Sequence, residues 1–140
     1  MYVGDILRNN SPQCLTIGSN ESVSMAANLM HASRVGALVV RSASRGKDAP
    51  VVGMFSERDV VTVIAERGTG GLAMKVAHFI SSRPLVSCSS QDPIRDVEQL
   101  MIRHGVRHVP VIDSGRIAGV VSLGDIAFAF DEAHCAMQAA

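Results

Sequence analysis

The chain has 140 residues, 47% hydrophobic and 19% charged, enough for one domain with a buried core. Its 13 basic residues balance 13 acidic ones without long single-sign blocks, which argues against a nucleic-acid binder that relies on phosphate contacts. No apolar run reaches the roughly 18 residues of a membrane span, and Met1 to Asp5 lacks a basic region followed by an apolar one. A cytoplasmic protein is expected.

In chain order, Val3 to Leu7 reads as a short lead-in turn, Asn9 to Gln13 as loop, and Cys14 to Ile17 as a brief extended segment. Val23, Ala26, Ala27 and Met30 then recur at helical spacing and predict one buried helical face. An apolar strand, Ala37 to Val40, leads through a loop to a second strand ending at Ser56, with a helix from Arg58 to about Ala65. Gly68, Gly70 and Gly71 mark a connector, and Leu72 to Ile80 reads as a short helix.

The next helix carries the stripe Ile94, Val97 and Met101, with Asp92 as its expected cap, Pro93 at its first position and Gly105 as its stop. Val109 to Ile112 forms a strand, Ser114 and Gly115 a tight turn, and a further strand ends at Ser122. A last helix runs from Leu123 to about Phe130, with Asp131 to Ala140 prolonging it.

Each half therefore reads strand, helix, strand, strand, helix, and the halves are copies. GMFSERD at Gly53 to Asp59 returns 66 positions later as GVVSLGD at Gly119 to Asp125. Upstream the offset is 71, pairing Thr16 with Ser87, Val23 with Ile94, Met30 with Met101 and Val35 with Val106. The first copy thus carries five extra residues around Arg41 to Asp48, and an insertion of that kind belongs on a surface loop. Its cations Arg41, Arg45 and Lys47 could touch a phosphate, but a solvated loop is the simpler role. A unit of roughly 60 residues buries too little surface to be comfortably stable, so the copies are expected to share one core.

The repeated polar pairs, Ser56 with Asp59 and Ser122 with Asp125, admit two readings. Serine followed three residues later by an acid resembles a helix capping box. Alternatively, the helix start offers donors to a phosphate or sugar while the aspartate accepts from a vicinal diol such as ribose. A carboxylate repels a phosphate, so Asp59 and Asp125 suit the sugar, and Arg58, Arg107 and His108 suit the phosphate. Both roles can coexist.

These features together, with VRHVPVID at Val106 to Asp113, resemble the tandem cystathionine-beta-synthase (CBS) domain pair, or Bateman module, across nearly the whole chain. The resemblance implies an α/β (α+β) fold of two pseudo-symmetric motifs, each with a small sheet and two helices, packed through their sheets. The motifs would be 1–67 and 76–130, with a connector at 68–75 and a helical tail at 131–140. It further implies a regulatory module binding AMP, ADP, ATP, NADH or S-adenosylmethionine, with no required cofactor.

Carried onto this sequence, Asp59 and Asp125 become the ribose ligands, with Ser56 and Ser122 contacting sugar or phosphate. The family's crossed strands imply Thr16 and Ile17 beside Asp125, and Ser87 and Cys88 beside Asp59. Gly36 and Ala37, and Arg107 and His108, would wall the ligand. The copies are unequal, because Arg107 and His108 correspond to Gly36 and Ala37, Pro110 to Val39, and Arg58 to Gly124. Such modules commonly form homodimers and signal to a separate effector protein, which is the expectation here, with no nucleic-acid or membrane partner.

A metal site is not expected, because Gly105 separates His104 from His108 and no acidic or cysteine partner has matching spacing. Catalysis is not expected either, since no serine or cysteine has an identifiable base and orienting partner. Cys14, Cys88 and Cys135 suit a reducing compartment. Phe128, Phe130 and Met137 on the last helix could pack against another subunit. The competing reading is a scaffold or dimerisation module with degenerate clefts.

Overall fold

The structure, a computed structural model, describes residues 1–9, 14–43 and 49–139, with side chains through 134. The chain divides into two compact units, Cys14–Leu85 and Met1–Gln13 with Val86–Ala140. In the first unit β1 (Thr16–Gly18), β2 (Ala37–Arg41) and β3 (Val51–Ser56) form a sheet in that order. β1 and β2 are parallel, while β2 and β3 are antiparallel with Ala37 opposite Ser56. Helices α2 (Val23–Ser33) and α3 (Glu57–Arg67) complete the strand, helix, strand, strand, helix order read from the sequence.

α2 buries Val23, Ala26 and Met30 as its periodicity requires, with Ala27 at the margin. Ser22 caps it by accepting from the Met25 amide at 3.0 Å. Around these residues Ile17, Leu38, Val40, Phe55, Val63, Val76 and Ile80 form one buried cluster. A 3-10 turn (Gly68–Ala73) follows α3, and only α4 (Val76–Ile80) is α-helical within the stretch expected as one helix from Leu72.

The second unit contains α1 (Val3–Asn9), α5 (Ile94–His104), the antiparallel pair β4 (His108–Asp113) and β5 (Arg116–Ser122), and α6 (Leu123–Ala139). The anticipated lead-in turn at Val3 is thus a two-turn helix. Ile94, Val97 and Met101 are buried, and Gly105 ends α5 with φ 65°, as the sequence indicates. Ser114 and Gly115, with φ 52° and 77°, make the tight hairpin turn.

Two expectations for this unit change. The first strand of the second copy shrinks to a single parallel bridge, Cys88 with Val111. Asp92 does not cap α5, because its Oδ2 accepts from the Ser89 amide at 2.8 Å and Pro93 itself stands at the cap position. The carboxylate closes the preceding turn instead.

Each unit has its own buried cluster. That of the second comprises Val3, Ile6, Cys88, Ile94, Val97, Met101, Val109, Val111, Val121, Ile126 and Ala129. Each unit also borrows the lead-in helix that precedes the other copy in sequence. α1 is stitched to the start of α5 through Val3 N to Asp92 O and Ile94 N to Met1 O, at 2.9 and 3.2 Å. α4 is stitched to the start of α2 through Val23 N to Met74 O and Val76 N to Glu21 O, both 2.9 Å.

This exchange explains the first letter of the repeated phrase. A Cβ on Gly53 would come within 3.3 Å of Ile80 on α4, and one on Gly119 within 2.9 Å of Leu7 on α1. Glycine lets each helix lie directly on its strand. Of the first copy's insertion, residues 44–48, with Arg45 and Lys47, lie outside the described residues, whereas Arg41 Nη1 donates to Ala49 O at 2.8 Å. Among the described residues no helix is long and apolar enough to cross a membrane.

Candidate functional site

Each copy ends a strand at a serine and starts a helix at the next residue, so the serine side chain faces the open amide end of the helix. In the first unit Asp59 N donates to Ser56 Oγ at 3.3 Å, and Ser56 N donates to Asp59 Oδ2 at 2.8 Å. In the second, Asp125 N donates to Ser122 Oγ at 3.0 Å, and Ser122 N donates to Asp125 Oδ2 at 2.9 Å. Both pairs are reciprocal capping boxes. Aspartate therefore reaches back as a glutamate would, and its carboxylate is fixed at the positive end of a helix.

The preceding strand delivers the wall residues to the same places. Ala37 pairs with Ser56, and Glu57 N donates to Gly36 O at 3.0 Å. His108 pairs with Ser122, and Leu123 N donates to Arg107 O at 2.8 Å. The structure thus gathers Gly36, Ala37, Ser56 and Asp59 in one unit, and Arg107, His108, Ser122 and Asp125 in the other. Ser56, Asp59, Ser122 and Asp125 are all half-buried, while Arg58 and Arg107 are exposed. Each cluster combines a carboxylate, a hydroxyl and a strand backbone at a helix start. That set can accept from a sugar diol and leave a cation at the rim for an anionic group.

The first-strand residues are placed differently. Thr16 and Ser87 are exposed, but the side chains of Ile17 and Cys88 belong to the two buried clusters. Burial, followed by the nearby Asp92 and Asp113 carboxylates, pushes the Cys88 thiol up to about 12. It is therefore an unreactive core residue, and its backbone is bonded to β4 through Cys88 N to Pro110 O and Ile112 N to Cys88 O. Cys14 is half-buried, and burial also raises its thiol pKa.

One participant had no sequence signal. Arg83 Nη1 donates to Asp59 Oδ1 at 2.9 Å across 24 residues of chain, forming a salt bridge. It lies outside the repeated segments, so no internal alignment points to it. Of the tail residues, Phe128 is exposed, Phe130 packs against the second cluster, and Met137 lies beyond the described side chains. Among the described residues no group of three or more His, Cys, Asp or Glu is placed to hold a metal ion.

The CBS domain family model matches residues 3–66 and 76–132. The CBS domain-containing protein YhcV of Bacillus subtilis is 30% identical over 115 residues, covering 82% of this chain and 77% of that protein. The crystal structure of a CBS-domain containing protein from Agrobacterium tumefaciens is 34% identical, with a TM-score of 0.82 over 91% of this chain and 92% of that one. A CBS domain protein from Pyrobaculum aerophilum, solved in complex with AMP, shares the fold at 24% identity, with a TM-score of 0.78 over 91% of this chain and 92% of that one.

Proposed function

The chain belongs to the CBS domain family, and from that premise we propose that it is a regulatory, non-catalytic sensor of an adenosine-containing ligand. The observation that carries this reading is the duplicated reciprocal cap, which fixes Asp59 and Asp125 beside the strand starts at Ala37 and His108. Capping accounts for a serine and an acid in each copy but does not itself call for the shorter aspartate over glutamate. Diol binding does, because a short carboxylate held at a helix start is a fixed double acceptor.

AMP bound to the Pyrobaculum relative supports the ligand class. In this reading Asp59 and Asp125 take the ribose hydroxyls, Ser56 and Ser122 the adjoining sugar or phosphate, and Arg58, Arg107 and His108 the phosphate. Ligand binding then shifts the preferred shape or assembly of the module. Calorimetric titration with AMP, ATP, NADH and S-adenosylmethionine, repeated on Asp59→Ala and Asp125→Ala, tests it. Binding by the parent that either substitution weakens is expected, and no binding by the parent rejects it.

A second role as a self-associating module has its own support. Ile102 on α5 and Phe128 on α6 expose 65% and 55% of their surfaces on neighbouring helices of one unit. Apolar surface of this kind favours a homodimer. A monomeric mass by light scattering at working concentration would remove that role and leave the sensor reading intact.

A further inference from the structure

The two capping boxes leave their carboxylates in different states. An ionised carboxylate has about four lone-pair positions. At Asp59, Oδ2 accepts from both Ser56 N and Ser56 Oγ, at 2.8 and 3.2 Å, and Oδ1 accepts from Arg83 Nη1 at 2.9 Å. One position remains. At Asp125, Oδ2 accepts from Ser122 N at 2.9 Å, and among the described residues the other three positions take no partner.

A vicinal diol brings two hydroxyl donors and needs two acceptor positions. Asp125 meets that requirement as it stands, whereas Asp59 meets it only when Arg83 lets go. We propose that Arg83 is a latch on the Asp59 site: it competes with a ligand's diol for Oδ1, so that a ligand fills the Asp125 site first. This inference rests on the diol-binding role assigned to the two aspartates in the preceding section.

The latch is built to yield. The Arg83 side chain is 44% exposed and the Asp59 side chain 22%, so the pair is screened by solvent and its contribution is modest. Nothing in the second copy repeats it, since Asp125 has no salt bridge among the described residues. A diol without a charged group gains no compensating contact for the displaced guanidinium. Neutral adenosine is therefore the ligand most hindered by Arg83, and the cleanest probe.

The test is calorimetry with adenosine on Asp125→Ala, where only the Asp59 site remains, and on Asp125→Ala combined with Arg83→Ala. The double variant is expected to bind about two- to fivefold more tightly than Asp125→Ala. The gap should narrow as sodium chloride is raised, because screening weakens the exposed pair. Adding Asp59→Ala should abolish the gain.

Equal or weaker binding by the double variant overturns the latch, as does a gain that survives Asp59→Ala. The functional reading fails separately: it falls if the parent binds adenosine no better than a variant lacking both aspartates, and the latch then falls with it. Where the parent binds and Asp125→Ala weakens that binding, the reading stands and the Arg83 comparison alone decides.

Discussion

The unit of Cys14–Leu85 and the unit of Met1–Gln13 with Val86–Ala140 are built from the same sequence pattern, yet they differ where chemistry is concerned. In both, a strand ends in serine, a helix begins, and an aspartate closes a capping box. The first unit then adds a three-stranded sheet, the small residues Gly36 and Ala37 beside its serine, and a salt bridge onto its aspartate. The second has a two-stranded sheet, Arg107 and His108 beside its serine, and an aspartate that accepts one hydrogen bond among the described residues. Duplication preserved the backbone that positions a polar group, and divergence acted on what that group meets.

The largest test of this comparison concerns the cores. Met30 and Met101 occupy equivalent places in separate clusters, at 4% and 1% exposure. Truncation of either to alanine should cost about 2–5 kcal/mol in denaturant titration. Hydrogen exchange should show protection falling mainly in the unit that carries the substitution. Equal loss throughout the chain would mean that the two clusters unfold as one.

That outcome bears on how far the sequence could be read. The helix stripes, the paired strands and the Ser114–Gly115 turn were legible because each follows from a local period or a local backbone requirement. The exchange of α1 and α4 was not, because a lead-in helix carries no mark of which copy's strand it will cover. Only the glycines at 53 and 119 hint that something lies close, and glycine does not name its neighbour. Asp92 misled because a capping residue and a turn-closing residue are the same side chain before the same proline.

The site divides along the same line. Ser56, Asp59, Ser122 and Asp125 were visible because duplication repeated them, and the strand register then brought Gly36, Ala37, Arg107 and His108 beside them. Arg83 was invisible because its partner lies 24 residues away and the contact has no counterpart among the described residues of the other copy. Cys88 and Ile17 enter the candidate site by resemblance alone, and their side chains belong to the buried clusters, which local sequence did not mark.

A smaller effect separates the two caps. Ser56→Ala and Ser122→Ala should each cost about 1 kcal/mol, seen as a lowering of Tm by about 3 °C. Ser56→Ala should be the more costly, since its hydroxyl also donates to Asp59 Oδ2 at 3.2 Å. The reverse order would show that the extra bond contributes nothing in water.

Selectivity between the walls should be smaller still. Arg107 is exposed and stands where the first copy has Gly36, so Arg107→Ala should weaken AMP binding by about threefold and leave adenosine nearly unchanged. Calorimetry with both ligands makes the comparison. Equal losses would mean that Arg107 acts on the sugar or on the backbone rather than on a phosphate.

The least effect is expected where one copy carries an ionisable side chain and the other does not. Hydrogen bonds from Ser90, through its side chain and its amide, and from the Ser89 hydroxyl hold the Asp113 carboxyl below its ordinary value of 3.8. The first copy has neutral Ser42 at the equivalent place. A carboxyl with a depressed folded-state pKa adds stability that is fully present above its unfolded value and is lost as pH falls through the folded one. Asp113→Asn should therefore lower Tm slightly at pH 7, and the difference from the parent should close as pH drops below about 3.8. A difference that stays constant with pH would assign the contribution of Asp113 to neutral hydrogen bonding, leaving the two hairpins alike in their response to acid.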